Sequence, residues 1–229
     1  DLEKMHKMVE LACKGLAGVS ASQVEIQSGI QFYDGITTAE IQGILVKSAS
    51  DLISLDVPNY QYVAARLLLF GLRKNLYGRI HEVPTLIDQI QRGVDKGIYD
   101  EDILKKYSKE EIETLDNTID HERDYLFTYA GLRQVVDKYL VQDRSSGEVY
   151  ETPQFMYMLI AMTILAEYPD ENRLDYVTRY YNAISRHKIN IPTPIMGGVR
   201  TPIRQFASCV LVDIDDTLDS IFSSDMAIG

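Results

Sequence analysis

The chain has 229 residues, 45% of them hydrophobic, and a formal net charge of −11. That length supports one large or two medium domains with ample core. The acidic balance argues against a nucleic acid as main partner, because phosphate backbones are held by surplus Lys and Arg, yet it leaves room for a mononucleotide pocket built from a few local donors. Two cysteines, Cys13 and Cys209, give neither a disulfide framework nor a zinc pattern, so a reducing cytoplasm is the expected setting. Leu2, Met5, Val9 and Ala12 fall at helical spacing before Gly15 and Gly18. Nothing at Asp1 reads as a signal peptide, and a chain that opens directly in a helix is expected to have further sequence upstream. Ser20 with Gln23, and Thr37 with Glu40, have capping-box spacing and predict two more helices, the second carrying Ile41, Ile44, Leu45, Ala49 and Leu52 on one side. Asp56-Val57-Pro58-Asn59 breaks that helix, and a fourth is predicted from about Tyr60 to Leu76, ended by Gly78. These four helices predict a bundle over residues 1–78.

From Pro84 the pattern stays helical, with a further capping box at Ser108 and Glu111. Tyr139-Leu140-Val141 and Val149-Tyr150 flank a turn at Asp143–Gly147 and predict a small β-hairpin. Thr152-Pro153 is a helix start, with Thr as N-cap, and the helix is predicted to reach about Glu167. Its apolar run, Phe155 to Ala166, is too short to span a bilayer. Another helix is predicted from about Asp170 to His187. Pro192 to Arg204 reads as a Pro- and Gly-punctuated loop, Gln205 to Asp213 as an apolar strand, and Asp216-Thr217-Leu218 as a helix N-terminus. His121 beside Glu122 lacks the second His that a helical zinc site needs, so it is read as a surface or hydrogen-bonded residue.

The run Pro192-Thr193-Pro194-Ile195-Met196-Gly197-Gly198-Val199-Arg200-Thr201-Pro202-Ile203-Arg204-Gln205-Phe206-Ala207-Ser208-Cys209-Val210-Leu211-Val212 closely resembles the start of the catalytic barrel in the large (α) subunit of class I ribonucleotide reductases. Separate stretches extend the resemblance, among them Asp34-Gly35-Ile36-Thr37-Thr38, Pro58 to Leu67, His121 to Asp124 and Gly147 to Glu151. The fold implied is mainly α: an ATP-cone-like four-helix domain over 1–78, a helical domain with a hairpin over 79–204, and from 205–229 the first strand and helix of an α/β ten-stranded barrel. The activity implied is reduction of ribonucleoside diphosphates to deoxyribonucleotides by thiyl-radical chemistry.

Residue by residue, the resemblance gives Cys209 as the redox-active thiol against the ribose, and Thr193, Ser208 and Cys209 as substrate contacts. Taken alone, a lone cysteine in an apolar strand reads as core packing. Asp216, Thr217 and Leu218 fall where the family binds the dNTP that selects the substrate, although Asp215 stands where the family usually has Gly. Lys4, Thr38 and Lys74 match the ATP or dATP positions of the cone; by chemistry alone they read as a solvated face with a helix cap. Gln42 and Gly71 occupy positions where strongly dATP-inhibited members carry histidines, so a weak activity switch is expected. No metal is expected in this chain. The partners implied are the remainder of the barrel, in the same or a separate chain, a small subunit whose metallocofactor supplies the radical, a thioredoxin- or glutaredoxin-type dithiol, and a second α subunit. The disulfide partner of Cys209 and the thiyl cysteine are expected outside these residues. The competing reading is a non-catalytic helical module that keeps a nucleotide-binding shape.

Overall fold

A computed structural model describes residues 2–203, 206–207, 209 and 211–228, with the backbone alone at Asp170. Among them the chain is helical, with no β-strand and one isolated antiparallel bridge between Gln142 and Val149. Helices α1 (Leu2–Cys13), α2 (Ala21–Gly29), α3 (Thr38–Asp51) and α4 (Tyr60–Tyr77) pack around Val9, Val24, Leu45, Val63 and Leu67. The expected capping box opens α3: Thr37 Oγ1 accepts from Glu40 N–H at 3.2 Å, and Glu40 Oε2 accepts from Thr37 N–H at 2.8 Å. The matching expectation at α2 fails. Ser20 makes no side-chain cap there. The Tyr60 hydroxyl takes the place of the Gln23 side chain, accepting from Ser20 N–H at 3.0 Å, and donates to Gln23 Oε1. Gly78 ends α4 at φ 74°, a conformation that costs a glycine little.

The second body comprises α5 (Leu86–Asp95), α6 (Asp102–Lys106), α7 (Lys109–Asp116), a 3₁₀ turn (His121–Leu126), α8 (Tyr129–Gln134), α9 (Pro153–Ile164) and α10 (Asp170–Ser185). The capping box at Ser108 and Glu111 is present. Helix α9 is the hub, with every residue from Pro153 to Met162 buried, which explains a sequence apolar on all sides. Thr152 holds its N-cap position, with Pro153 in the first turn, but makes no side-chain capping bond. The predicted hairpin is reduced to the single bridge, with Asp143 N–H donating to Glu148 O at 2.8 Å and Tyr150 N–H to Val141 O at 2.9 Å. Tyr139, predicted in its first strand, instead closes a π-helical turn, Val135–Tyr139, that continues α8.

Helix α4 is buried on two sides. Val63, Ala64, Leu67 and Phe70 face the first core, while Ala65, Leu69 and Leu72 belong to the second. Beside them Arg73 pairs with the buried Asp124 at 2.9 Å and donates to His121 O at 2.8 Å.

Toward the C-terminus the structure departs from the expected pattern twice. Residues Thr193–Gly198, read as loop, form a short helix, α11, with Pro194 in its first turn, where a missing N–H costs nothing. Residues 206, 207, 209 and 211–213, expected as a strand, have no regular structure; the rest of that stretch, 205, 208 and 210, lies outside the described residues, as does 204. A strand is stabilised by a neighbour's ladder, and no strand among the described residues offers one. The helix expected at Asp216-Thr217-Leu218 is present as α12 (Leu218–Ile228).

Candidate functional site

Thr193 is the first residue of α11 and is exposed. Its hydroxyl shares a 3.3 Å hydrogen bond with the Tyr139 hydroxyl. That bond is the main reason the Tyr139 phenol titrates below its usual range. The two side chains stand between two cavities. One, of about 520 Å3, includes Gly197, Gly198 and Thr201 in its wall; the other, of about 580 Å3, includes Met196 and His187.

What fixes this segment is a buried ion pair. Arg200 and Glu151 are both fully buried, and Arg200 Nε lies 3.1 and 3.0 Å from the two Glu151 oxygens. The guanidinium also donates to Met196 O at 2.5 Å and to Tyr139 O at 2.9 Å. Glu151 accepts in addition from Val141 N–H and from the Tyr99 hydroxyl, each at 2.8 Å. Burial, with the Glu151 charge beside it, pushes the Tyr99 hydroxyl well up, so it remains a donor. One pair thus ties α11, the π turn, the hairpin base and the α5–α6 connection together. A buried pair survives only when its spare donors and acceptors are met, and here they are.

Tyr139, Glu151 and Arg200 stand within the sequence motifs, but no local pattern marks them for a role. Glu151 and Arg200 are 49 positions apart. The available signal was a lone Arg set in an otherwise uncharged run, Ile195 to Ile203.

Cys209 is exposed, not packed into a core. Ser208 lies outside the described residues. Asp216, Thr217 and Leu218 are exposed at the start of α12. Thr217 Oγ1 caps the helix by accepting from Ser220 N–H at 3.2 Å, and Asp215 N–H donates to Ser220 Oγ at 2.8 Å. The Asp215 and Asp216 carboxylates therefore stand adjacent and solvated. Thr193, Cys209 and Asp216 lie on three successive segments.

Lys4, Thr38 and Lys74 are exposed on α1, α3 and α4. Arg66 donates to Ala12 O at 3.1 Å, and Asn59 to Ala17 O at 2.9 Å, so α1 and α4 run antiparallel. Lys4 and Lys74 each lie eight residues, about 12 Å of helix, beyond the Ala12–Arg66 contact. Gln42 Nε2 donates to Leu67 O at 2.6 Å, and α3 places Thr38 one turn beyond it. The three side chains are therefore carried at one end of the bundle. Gln42 and Gly71 face each other: a Cβ at Gly71 would lie 2.9 Å from Gln42 Cγ.

His121, expected at the surface or hydrogen-bonded, is half-buried. Its Nδ1 is buried without a partner, and its ring packs edge-on against Phe155 at 4.9 Å between centroids. Burial, reinforced by the Arg73 charge, holds its pKa down to about 4. Among the described residues no group of His, Cys, Asp and Glu side chains is arranged to hold a metal ion. None of the described helices is long and apolar enough to cross a membrane.

Comparison with known proteins gives a match along the whole chain. Residues 125–204 match the family described as ribonucleotide reductase, all-alpha domain. The chain is 51% identical over 228 residues to ribonucleoside-diphosphate reductase 1 subunit alpha of Escherichia coli and, equally, 51% over 228 residues to the subunit alpha of Haemophilus influenzae. It is 46% identical over 230 residues to the subunit alpha of Enterobacteria phage T4. Each alignment covers 100% of the chain and 30% of the relative, so the chain spans about a third of their length. The chain is thus similar along its whole length to about 30% of the length of ribonucleoside-diphosphate reductase α subunits, and the ribonucleotide reductase all-alpha domain family matches within it.

Proposed function

We propose that the chain is the N-terminal part of a ribonucleoside-diphosphate reductase α subunit, working with the remainder of that subunit and a radical-generating small subunit. The observation that carries this reading is the match to curated reductase α subunits from end to end. Physical support comes from an exposed Cys209 and from a Thr193 segment held rigidly beside two cavities. In this reading Thr193 and Ser208 bind the substrate's phosphates through hydroxyl and backbone donors, which suits a chain without surplus positive charge.

Cys209 then acts at the ribose. Its thiol protonates the 2′-hydroxyl, which leaves as water. Two electrons come from Cys209 and a second cysteine, which end as a disulfide, so one diphosphate and two thiols give one deoxyribonucleotide, one disulfide and one water. An external dithiol of the thioredoxin or glutaredoxin type reopens that disulfide by exchange. The radical comes from the small subunit's metallocofactor. Asp216, Thr217 and Leu218 face a dNTP effector, and Lys4, Thr38 and Lys74 an ATP or dATP at the bundle end. The α subunit pairs with a second copy, in the cytoplasm.

The test is Cys209→Ser in the complete subunit. The hydroxyl keeps the shape but forms no disulfide, so turnover with a dithiol reductant is expected to stop while diphosphate binding by equilibrium dialysis stays near wild type. Sustained turnover by the variant would refute the role of Cys209.

A further inference from the structure

A cleft of about 560 Å3 opens between the bundle and the second body, walled by α3 and α4 on one side and by the end of α5, α8 and the hairpin turn on the other. Its size falls within the range of small-molecule sites. Four cations line it, Lys47, Arg92, Lys96 and Arg133, against one carboxylate, Glu148. That local excess is unexpected in a chain of net charge −11.

The partners of these cations matter. Arg92 is half-buried, and its hydrogen bonds go to neutral oxygens: Leu76 O at 3.4 Å, Gln89 Oε1 at 2.9 Å and Tyr150 O at 3.4 Å. Its charge is therefore fixed in place without a carboxylate to cancel it. Lys96 lies 4.8 Å above the Tyr150 ring and 3.5 Å from Glu148. Lys47 and Arg133 reach Asp51 and Asp137 one helical turn away, each at 2.8 Å, in exposed pairs. Exposed pairs of this kind are weakly held, and a phosphate group is a stronger partner for both side chains.

We propose that this cleft binds a small phosphate-bearing anion, with Arg92 as the fixed anchor and Lys47, Lys96 and Arg133 turning inward onto it. The site runs along the flank of α3 and α4, where Gln42 and Gly71 also line it, but its cations are none of Lys4, Thr38 and Lys74, and it does not depend on the catalytic reading. Because the wall comes from both bodies, the anion would bridge them and raise their shared stability.

Inorganic tripolyphosphate is the probe, at low ionic strength so that screening does not hide the charge effect. The background is the full chain carrying Lys4→Gln and Lys74→Gln, which removes the cations at the bundle end. Calorimetric titration is expected to show one-to-one binding in this background, weakened roughly tenfold or more by adding Lys96→Gln and Arg133→Gln. Both added positions are exposed, so the fold should survive. A second readout needs no cleft substitution: tripolyphosphate should protect Lys96 and Lys47 from acetylation, followed by mass spectrometry. Absence of binding in the background chain, equal affinity after the added changes, or unchanged acetylation of both lysines would overturn the proposal.

Discussion

At the scale of single residues, burial sets two measurable quantities. His121 stays neutral in the fold because burial holds its pKa down to about 4, against an ordinary value of 6.5. The unfolded chain binds a proton there between those values and the folded chain does not. Stability from this residue is therefore complete above about pH 6.5 and is lost as pH falls toward 4. The shift corresponds to something on the order of 3 kcal/mol. Replacing His121 with Phe, which keeps a ring against Phe155, should flatten urea-midpoint stability between pH 6.5 and 4; an unchanged slope would show that another group carries it. The second quantity is the Arg200–Glu151 pair. Arg200→Met leaves a fully buried carboxylate with its cation gone, and should cost about 3–5 kcal/mol in chemical denaturation. Adding Glu151→Gln removes the stranded charge and should recover part of that loss, since the two residues act as one unit.

Within elements, close approaches decide. A Cβ at Gly93 in α5 would come within 2.0 Å of the Tyr99 ring, which is pinned by its bonds to Glu151 and Gln89. Gly93→Ala gains up to about 1 kcal/mol of helix propensity but forces a ring that cannot yield, at about 1–3 kcal/mol or more. Net destabilisation is expected, visible as a lower Tm. On α3 and α4, the Gln42 amide is committed to the Leu67 carbonyl and fills the space above Gly71. In the complete subunit we therefore expect dATP to cause little loss of turnover, and tight dATP binding with strong inhibition would count against this.

The same elements show what was readable in advance. The boxes at Thr37–Glu40 and Ser108–Glu111 are local, three residues apart, and both form. Ser20–Gln23 has the same spacing but loses to Tyr60, 40 positions away in sequence, which no local pattern reports. Thr193–Gly198 reads as loop because its six residues, with Pro194, Gly197 and Gly198 among them, are too few to show a helical repeat. Motif resemblance named Thr193, Cys209 and Asp216; Tyr139 and the Arg200–Glu151 pair emerge only once distant segments meet.

For the molecule as a whole, α4 joins the two cores. A defect in one should therefore be felt in the other. Leu45→Ala in the first core removes about 2–5 kcal/mol. Hydrogen exchange should then show the slowest amides of α9 losing protection together with those of α3, because the shared helix couples their opening. Protection lost in α1–α3 alone would mean two independent units.

That shared helix also limits how such a chain can be recombined. A graft cut after Gly78 would exchange the bundle and, with it, Ala65, Leu69, Leu72 and Arg73, which contact the body left behind. A donor bundle would bring foreign knobs to fit an unaltered socket, and Asp124 would be stranded unless the incoming helix carried a cation at the same place. A transplant that respects the packing would follow the two faces of α4, taking the donor's residues on one side and keeping the host's on the other.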